Sequence, residues 1–421
     1  MAEQWADRQK ADRDGIRPEK PLFRILVVGI NWPPETFIAR LIEGLIAKGV
    51  EVTIASPGRP DQNWFDSYNI RWIPTPLWEG RVLRRLLRLT KMSARAVVTA
   101  PRDFRSVYDF SRREANRGQE LLMLDRLLPF AGERWNLVYF PWNNAAIDYS
   151  WLFEEGRKVI VSCRGSQINV APHNPNRTSL IDGLKETFGK AAAVHCVSDS
   201  IKQEAIQYGL EVSKAKVIRP SVDPEFFKPA AMGDVQQDEP FRVTTIGSLV
   251  WLKGYEYVLQ AIRKLKDDGI NLEFNIVGDG PERQRVLFTI RDLGLESVVR
   301  LNGRSTPEKV RDILQRSHVF VLPSLSEGIS NAVLEAMACE LPVATTDCGG
   351  MREAVTDGVE GFVVPVRDVE AMADALKNLW EKPALRLQMG RAGRKRVVNS
   401  FNLSHQVNSF LQLCEDVVGC E

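Results

Sequence analysis

Two successive series of short, β-branched apolar runs, each run alternating with a stretch of helical apolar spacing, constrain this chain more than any other feature. The first series falls at 23–29, 51–55, 136–140, 158–162, 193–197 and 216–218; the second falls at 241–247, 272–277, 298–301, 319–322, 342–345 and 361–364. Such runs read as buried strands, and strand–helix alternation demands a parallel sheet with right-handed crossovers. Between the series, residues 221–240 turn polar and carry Pro224, Pro229 and Pro240, as a linker does. The pattern predicts an α/β chain with two Rossmann-like doubly wound domains, 21–222 and 241–398, joined by a linker at 223–240. Ligands of such a pair bind between the domains, beyond the carboxyl ends of the strands. Residues 399–421 hold one further amphipathic segment. Residues 1–20 carry five acids and five bases with no apolar core, which reads as a disordered tail and not as a secretory signal.

Composition excludes several classes. The chain of 421 residues is 44% apolar and 26% charged, and no apolar run has the length of a membrane-spanning helix. Six scattered cysteines without a Cys-x-x-Cys pattern point to reduced thiols in a cytoplasmic protein, and no His/Cys/Asp cluster has metal-ligand spacing. The net charge of +2 is unevenly spread: residues 81–118 contain eleven Lys/Arg against three Asp/Glu. There Arg81, Arg84, Arg85, Arg88, Lys91 and Arg95 fall on one arc of a helix, with Val82, Leu83, Leu86, Leu87, Val97 and Val98 on the other side. A basic amphipathic helix of this kind can lie on an anionic membrane surface. The competing reading is a solvated basic face whose apolar side packs on the protein's own core. Nucleic acid is not expected as a partner, because no recognition motif accompanies the charge.

The sharpest chemical signal is a pair of carboxylates, Glu327 and Glu335, within the stretch Ser324-Leu325-Ser326-Glu327-Gly328-Ile329-Ser330-Asn331-Ala332-Val333-Leu334-Glu335. The preceding run Val319–Leu322 stops at Pro323, and Ser330 or Asn331 can cap a following helix. One carboxylate then sits in the strand-to-helix loop and the other about one turn into the helix. A helix N-terminus attracts an anion such as a diphosphate, whereas carboxylates beside it are suited to accept hydrogen bonds from sugar or ribose hydroxyls. A helix cap plus a solvated glutamate is the plainer alternative.

The segment 319–365 resembles the signature region of retaining glycosyltransferases of the GT-B class, the glycosyltransferase group 1 or family 4 type. The resemblance rests on Glu-x7-Glu in a Pro-Ser-x-x-Glu-Gly context, then Leu334-Glu335-Ala336-Met337-Ala338, Leu341-Pro342-Val343, Gly349-Gly350 and Gly358-Val359-Glu360-Gly361, in family order. It implies GT-B architecture, with the two domains facing a central cleft, and a helix at 403–418 that returns to the N-terminal domain. It also implies that Glu327 contacts the donor sugar and Glu335 the nucleotide ribose, with Gly328, Ile329, Ser330 and Asn331 at the donor. Lys253, in Gly247-Ser248-Leu249-Val250-Trp251-Leu252-Lys253-Gly254, matches a family lysine on the donor phosphates; the companion arginine is replaced by Ser248. Gly303 and Arg304 match the turn against the nucleobase.

The N-terminal half departs more. Pro33-Pro34-Glu35-Thr36-Phe37-Ile38 stands where many members have a Gly-Gly loop, and is similar to a Ser-Glu-Thr-Phe-Ile motif of polysaccharide-assembly enzymes; Glu35 and Thr36 are thereby acceptor-side candidates. Arg164 replaces the histidine of a His-Gly-x-Asp turn; it can orient a phosphate but cannot act as a base. His173 is the acceptor-side histidine candidate, while His195 and His318 lie in apolar runs and read as core. The implied function is transfer of a hexosyl or other glycosyl group from a nucleotide-sugar donor to a hydroxyl of a glycolipid or polysaccharide precursor, with retention and with no metal or other cofactor. The expected location is cytoplasmic, with docking on the inner membrane face if the basic helix binds lipid. Two alternatives stay open: a non-catalytic nucleotide-sugar-binding partner in a membrane-associated assembly complex, and a GT-B-fold epimerase.

Overall fold

The computed structural model describes residues 21–32, 34–58, 62–76, 82–115, 119–154, 156–230 and 240–419, with the side chains of 62, 82–84 and 178 excepted. The 1–20 tail, Pro33, Arg81, most of the distal linker and Cys420 therefore lie outside the described residues.

Among the described residues thirteen strands form two all-parallel sheets. The first comprises β1 (Arg24–Val28), β2 (Glu51–Ser56), β3 (Arg71–Pro74), β4 (Leu137–Phe140), β5 (Val159–Cys163), β6 (Ala193–Cys196) and β7 (Ala215–Val217), in the order β3-β2-β1-β4-β5-β6-β7. The second comprises β8 (Phe241–Ile246), β9 (Leu272–Val277), β10 (Val299–Gly303), β11 (Val319–Leu322), β12 (Val343–Thr346) and β13 (Gly361–Val364), in the order β10-β9-β8-β11-β12-β13. Both orders reverse direction beside their first strand. That places a topological switch point between β1 and β4 in one domain and between β8 and β11 in the other.

Helices on both faces bury the central strands. In β1, Ile25, Leu26, Val27 and Val28 are all buried, and β11 is buried along its whole length. Each fully buried side chain of this size contributes about 1.5–3 kcal/mol relative to exposure. Sequence reading missed β3. It is the sheet edge, only Ile73 is buried in it, and the flanking Arg71 and Pro74 are exposed, so no apolar run advertises it.

The first part of the segment read as a linker is fastened down. Phe227 is buried in the C-terminal core, and the Arg394 guanidinium donates to the Pro224 and Phe227 carbonyls. Val222 bridges to Asn402, so the chain's two crossings between domains run side by side. Beyond Asn402, the helix Leu403–Val418 packs on the N-terminal domain: Val407 meets Gly44 of the helix Thr36–Ala47, and Phe410 lies edge-on to Tyr139 at 4.8 Å.

The helix Val82–Thr99 corrects the sequence reading of its faces. Arg85 and Arg88 turn inward, donating to the buried Asp125 at 3.4 and 2.6 Å, and Leu89 and Ala96 pack in the core. Leu86, Leu87, Val97 and Val98 face outward at 47%, 64%, 48% and 81% exposure. A buried carboxylate needs cationic partners, and that requirement outweighed the apolar face's claim on the core. The five described cysteines are buried and free.

Candidate functional site

The C-terminal domain's switch point brings two loops together. The loop after β8 makes a short 3-10 turn, Trp251–Lys253, and ends at Gly254, whose φ of +59° only glycine adopts without strain. A Cβ there would lie 2.3 Å from the Pro323 carbonyl oxygen, so this glycine permits the two loops to touch. The Leu325 amide then donates to the Leu252 carbonyl at 2.7 Å.

This juxtaposition pairs Lys253 with Glu327. The ammonium ion-pairs with Glu327 Oε1, and the Ser324 hydroxyl donates to the same oxygen at 2.7 Å. Glu327 Oε2 has no partner among the described residues and remains able to accept hydrogen bonds. The pair is mostly buried, with side chains 23% and 13% exposed, so its charges are poorly screened.

Gly328, Ile329 and Ser330 lead into the helix Asn331–Ala338. Ser330 holds the N-cap position, yet its side chain makes no capping bond, and Asn331 Oδ1 is buried without a partner. The helix start therefore offers donors that its own side chains do not occupy. The Glu335 carboxylate, one turn on, makes no hydrogen bond or ion pair with any described residue. Burial pushes its carboxyl up to about 7, and the Arg40 guanidinium pulls it partly back. Arg40, from the N-terminal domain, stands 5.9 Å over the Phe227 ring. Sequence reading missed Arg40; its only signal is a basic residue one turn beyond Glu35-Thr36.

The loop after β12 supports this arrangement. Gly349 has φ +55°, a Cβ there would fall 1.8 Å from the Glu327 carbonyl oxygen, and the Gly350 amide donates to the Gly328 carbonyl at 2.7 Å. Gly349→Ala is expected to cost at least ~2 kcal/mol from backbone strain alone and to displace Glu327. A thermal melt and a nucleotide-binding isotherm check this; an unchanged isotherm would mean the glycine does not shape the site.

From the facing domain, Asn169 donates to the Glu327 carbonyl at 3.1 Å and to the Ser326 hydroxyl at 3.2 Å. Arg164, five residues earlier in sequence, is only 7% exposed and is stacked 4.8 Å from the Phe37 ring. Its one side-chain hydrogen bond to a described residue, Tyr139, leaves Nε buried and unpaired. Glu353 links the domains a second time, accepting from the Ser200 amide and from Arg219, both at 3.0 Å.

The remaining candidates are more dispersed. Glu35 and Thr36 are exposed at the start of the helix Thr36–Ala47, and Glu35 makes no side-chain cap. His173 is exposed, and no hydrogen bond joins its side chain to the residues above. Ser248 and Arg304 are exposed beside β8 and β10, with no ion pair between Arg304 and any described residue; Gly303, at φ +65°, accepts from the Gly278 amide at 2.9 Å. His195 is fully buried, and burial together with the Arg164 charge pushes it down to about 3. No group of three or more potential metal ligands occurs among the described residues.

Comparison with known proteins bears on the family and the fold. The family model described as Glycosyl transferases group 1 matches residues 232–396, and that described as Glycosyltransferase Family 4 matches residues 34–226. The amylovoran biosynthesis glycosyltransferase AmsK of Erwinia amylovora is 31% identical over 220 residues, 51% of this chain and 53% of AmsK. The putative colanic acid biosynthesis glycosyltransferase WcaL of Escherichia coli K12 is 29% identical over 238 residues, 54% of this chain and 58% of WcaL. The chain thus spans about half the length of the curated relatives it matches. Among solved structures, sucrose-phosphate synthase of Thermosynechococcus elongatus superposes with TM-score 0.71 at 18% identity, covering 94% of this chain and all of that one. Anabaena HepE in complex with UDP and glucose gives TM-score 0.71 at 17% identity, with the same coverage. Two tandem family matches and two parallel sheets of reversed order place the chain in the GT-B glycosyltransferases.

Proposed function

We propose that the chain transfers a sugar from a nucleotide-sugar donor to a hydroxyl of a polysaccharide or glycolipid precursor, with retention of configuration. The observation that carries this reading is the meeting of the Lys253 and Glu327 loops at the β8/β11 switch point, with the unpartnered Glu335 one turn into the adjoining helix. Glu335 accepts hydrogen bonds from the ribose, and Glu327 Oε2 from the donor sugar. Lys253, the open start of the helix Asn331–Ala338 and Arg164 hold the diphosphate. As the bond from the sugar's anomeric carbon to the diphosphate oxygen breaks, the acceptor oxygen bonds to that carbon. The acceptor's proton passes to the departing phosphate, in line with the retaining family that the motif resembles. The names of AmsK and WcaL, and the UDP and glucose in HepE, favour polysaccharide assembly and a uridine nucleotide. Proton NMR of the product tests the stereochemistry: the donor's anomeric configuration is expected in the product, and the opposite one would refute retention.

The outward face of the helix Val82–Thr99 supports docking on anionic lipid. Among its described side chains Leu87 and Val98 are the most exposed apolar ones, and Lys91, Arg95, Arg102 and Arg112 are exposed on this helix and the next. Each basic residue near an anionic surface contributes roughly 1 kcal/mol. No helix among the described residues is long and apolar enough to cross a membrane. The protein is expected to co-sediment with phosphatidylglycerol vesicles at low salt, and Leu87→Glu/Val98→Glu to stay in the supernatant. Wild-type protein remaining in the supernatant would remove the membrane from the account.

A further inference from the structure

Beneath Arg164 runs a chain of buried polar groups that the reaction as described does not use. The His195 Nε2 lies 2.8 Å from the Ile218 carbonyl, Nδ1 lies 2.7 Å from the Ser162 hydroxyl, and that hydroxyl lies 3.0 Å from the Tyr139 hydroxyl. The Arg164 guanidinium completes the series at 3.3 Å from the Tyr139 oxygen. These contacts admit one direction. A carbonyl can only accept, so Nε2 carries the proton and Nδ1 accepts from Ser162. Ser162 in turn accepts from Tyr139, which leaves the Tyr139 oxygen to accept from Arg164. His195 and Ser162 are fully buried, Tyr139 is 1% exposed, and Phe410 of the returning helix covers both Tyr139 and His195 edge-on.

Such a network is costly to bury and would not be needed merely to fill space, since apolar side chains of similar volume pack as well. Its distinctive product is a guanidinium that is nine-tenths buried, has no carboxylate partner among the described residues and keeps Nε unpaired. A buried cation without a counter-ion is destabilising unless a ligand supplies one. The place it occupies is defined. Gly165 adjoins Gly328 of the facing domain, and Asn169 binds the Glu327 carbonyl, so the turn that begins with Arg164 rests on the loop leading into the helix Asn331–Ala338.

We propose that Tyr139, Ser162 and His195 are positioning residues that hold Arg164 unpaired and directed at the diphosphate of the donor. The inference rests on the reading above that Arg164 binds that group. Tyr139 sets the guanidinium's place from below, Phe37 stacks on it, and the tautomer of His195, fixed by the Ile218 carbonyl, sets the direction of every donor between.

The test is a double-mutant cycle read by equilibrium binding of UDP, GDP and ADP, with thermal melts on each variant. Tyr139→Phe and Ser162→Ala each remove one oxygen, and Tyr139→Phe keeps the ring that Phe410 covers. Arg164→Ala is expected to weaken binding of the preferred nucleotide about tenfold or more, and Tyr139→Phe and Ser162→Ala roughly three- to tenfold. In the Arg164→Ala background, Tyr139→Phe is expected to change the affinity by less than about twofold, because its effect passes through the missing guanidinium. The same factor in both backgrounds would overturn the relay, as would unchanged affinity in Tyr139→Phe and Ser162→Ala. If Glu335→Gln weakens binding while Arg164→Ala does not, the donor site stands and this inference falls. If wild type binds none of the three nucleotides, the proposed function falls with it.

Discussion

Glutamine in place of Glu335 is expected to weaken nucleotide binding and, at alkaline pH, to stabilise the unliganded protein. The first effect follows from the proposed role of the carboxylate as acceptor for the ribose hydroxyls; a hydrogen bond to a charged group contributes about 1.5–3 kcal/mol, or roughly ten- to hundredfold in affinity. The second follows from a half-buried carboxylate without a partner. The carboxyl titrates at 4.5 when free and at about 7 in the fold, so the folded state holds a proton that the unfolded chain has lost. Stability therefore falls as pH rises through the window between those values. Glu335→Gln has no charge to bury. Its melting temperature is expected to exceed that of wild type at pH 8 and to converge with it near pH 4.5. A variant that binds nucleotide like wild type would show that Glu335 is not at the ribose, whatever its melting curve. An unfavourable charge retained beside a ligand site is the usual sign of stability given up for function.

Methionine in place of Lys253 is expected to lower kcat about 10²–10³-fold, the loss typical for one group that meets developing charge at a reacting centre. The effect should sit at the upper end here, because Ser248 occupies the position where the family usually carries a second cation. Donor KM is expected to change less than kcat, since the leaving diphosphate gains charge only as the glycosidic bond breaks. Lys253→Met also strands the mostly buried Glu327 carboxylate, so a fall in melting temperature should accompany the kinetic loss. Lys253→Arg separates the two effects: it keeps the charge, and with it the ion pair, while altering the geometry toward phosphate. If kcat were unchanged in Lys253→Met, another group would have to stabilise the leaving group, and Arg40 or Arg164 would be the first to examine.

What the sequence disclosed depended on how local the determining contacts are. Glu327, Gly328 and Glu335 were legible because strand, loop and helix start follow one another within a single stretch, and β11 announces itself as an uninterrupted apolar run. Lys253 was legible from its own loop, but its pairing with Glu327 depends on the adjacency of β8 and β11, strands separated by two others in sequence. Arg40 could not be found, because what brings it toward Glu335 is the docking of one domain on the other. The Tyr139–Ser162–His195 network was hidden for a related reason: its members come from three neighbouring strands, and each alone reads as core. His195 is core, yet it also has a directional hydrogen-bonding role that burial alone does not reveal.

The helix Val82–Thr99 shows a different limit. Its period separated a basic arc from an apolar one, but period alone does not say which arc faces inward. Asp125, on another helix, decides the matter by drawing in Arg85 and Arg88. The result is an apolar surface where a solvated basic one was the plainer expectation, and it turns the charge of this region into a flank for that surface.

The most direct test of the account is release of nucleoside diphosphate from a panel of UDP-, GDP- and ADP-sugars, with bacterial lipid extract as acceptor and wild type beside Glu335→Gln and Lys253→Met. The account predicts acceptor-dependent turnover of one donor, a raised donor KM in Glu335→Gln, and a collapse of kcat in Lys253→Met. Donor binding by wild type without turnover, or turnover indifferent to both substitutions, would contradict it; the former outcome would mark the chain as a nucleotide-sugar-binding partner instead of a transferase.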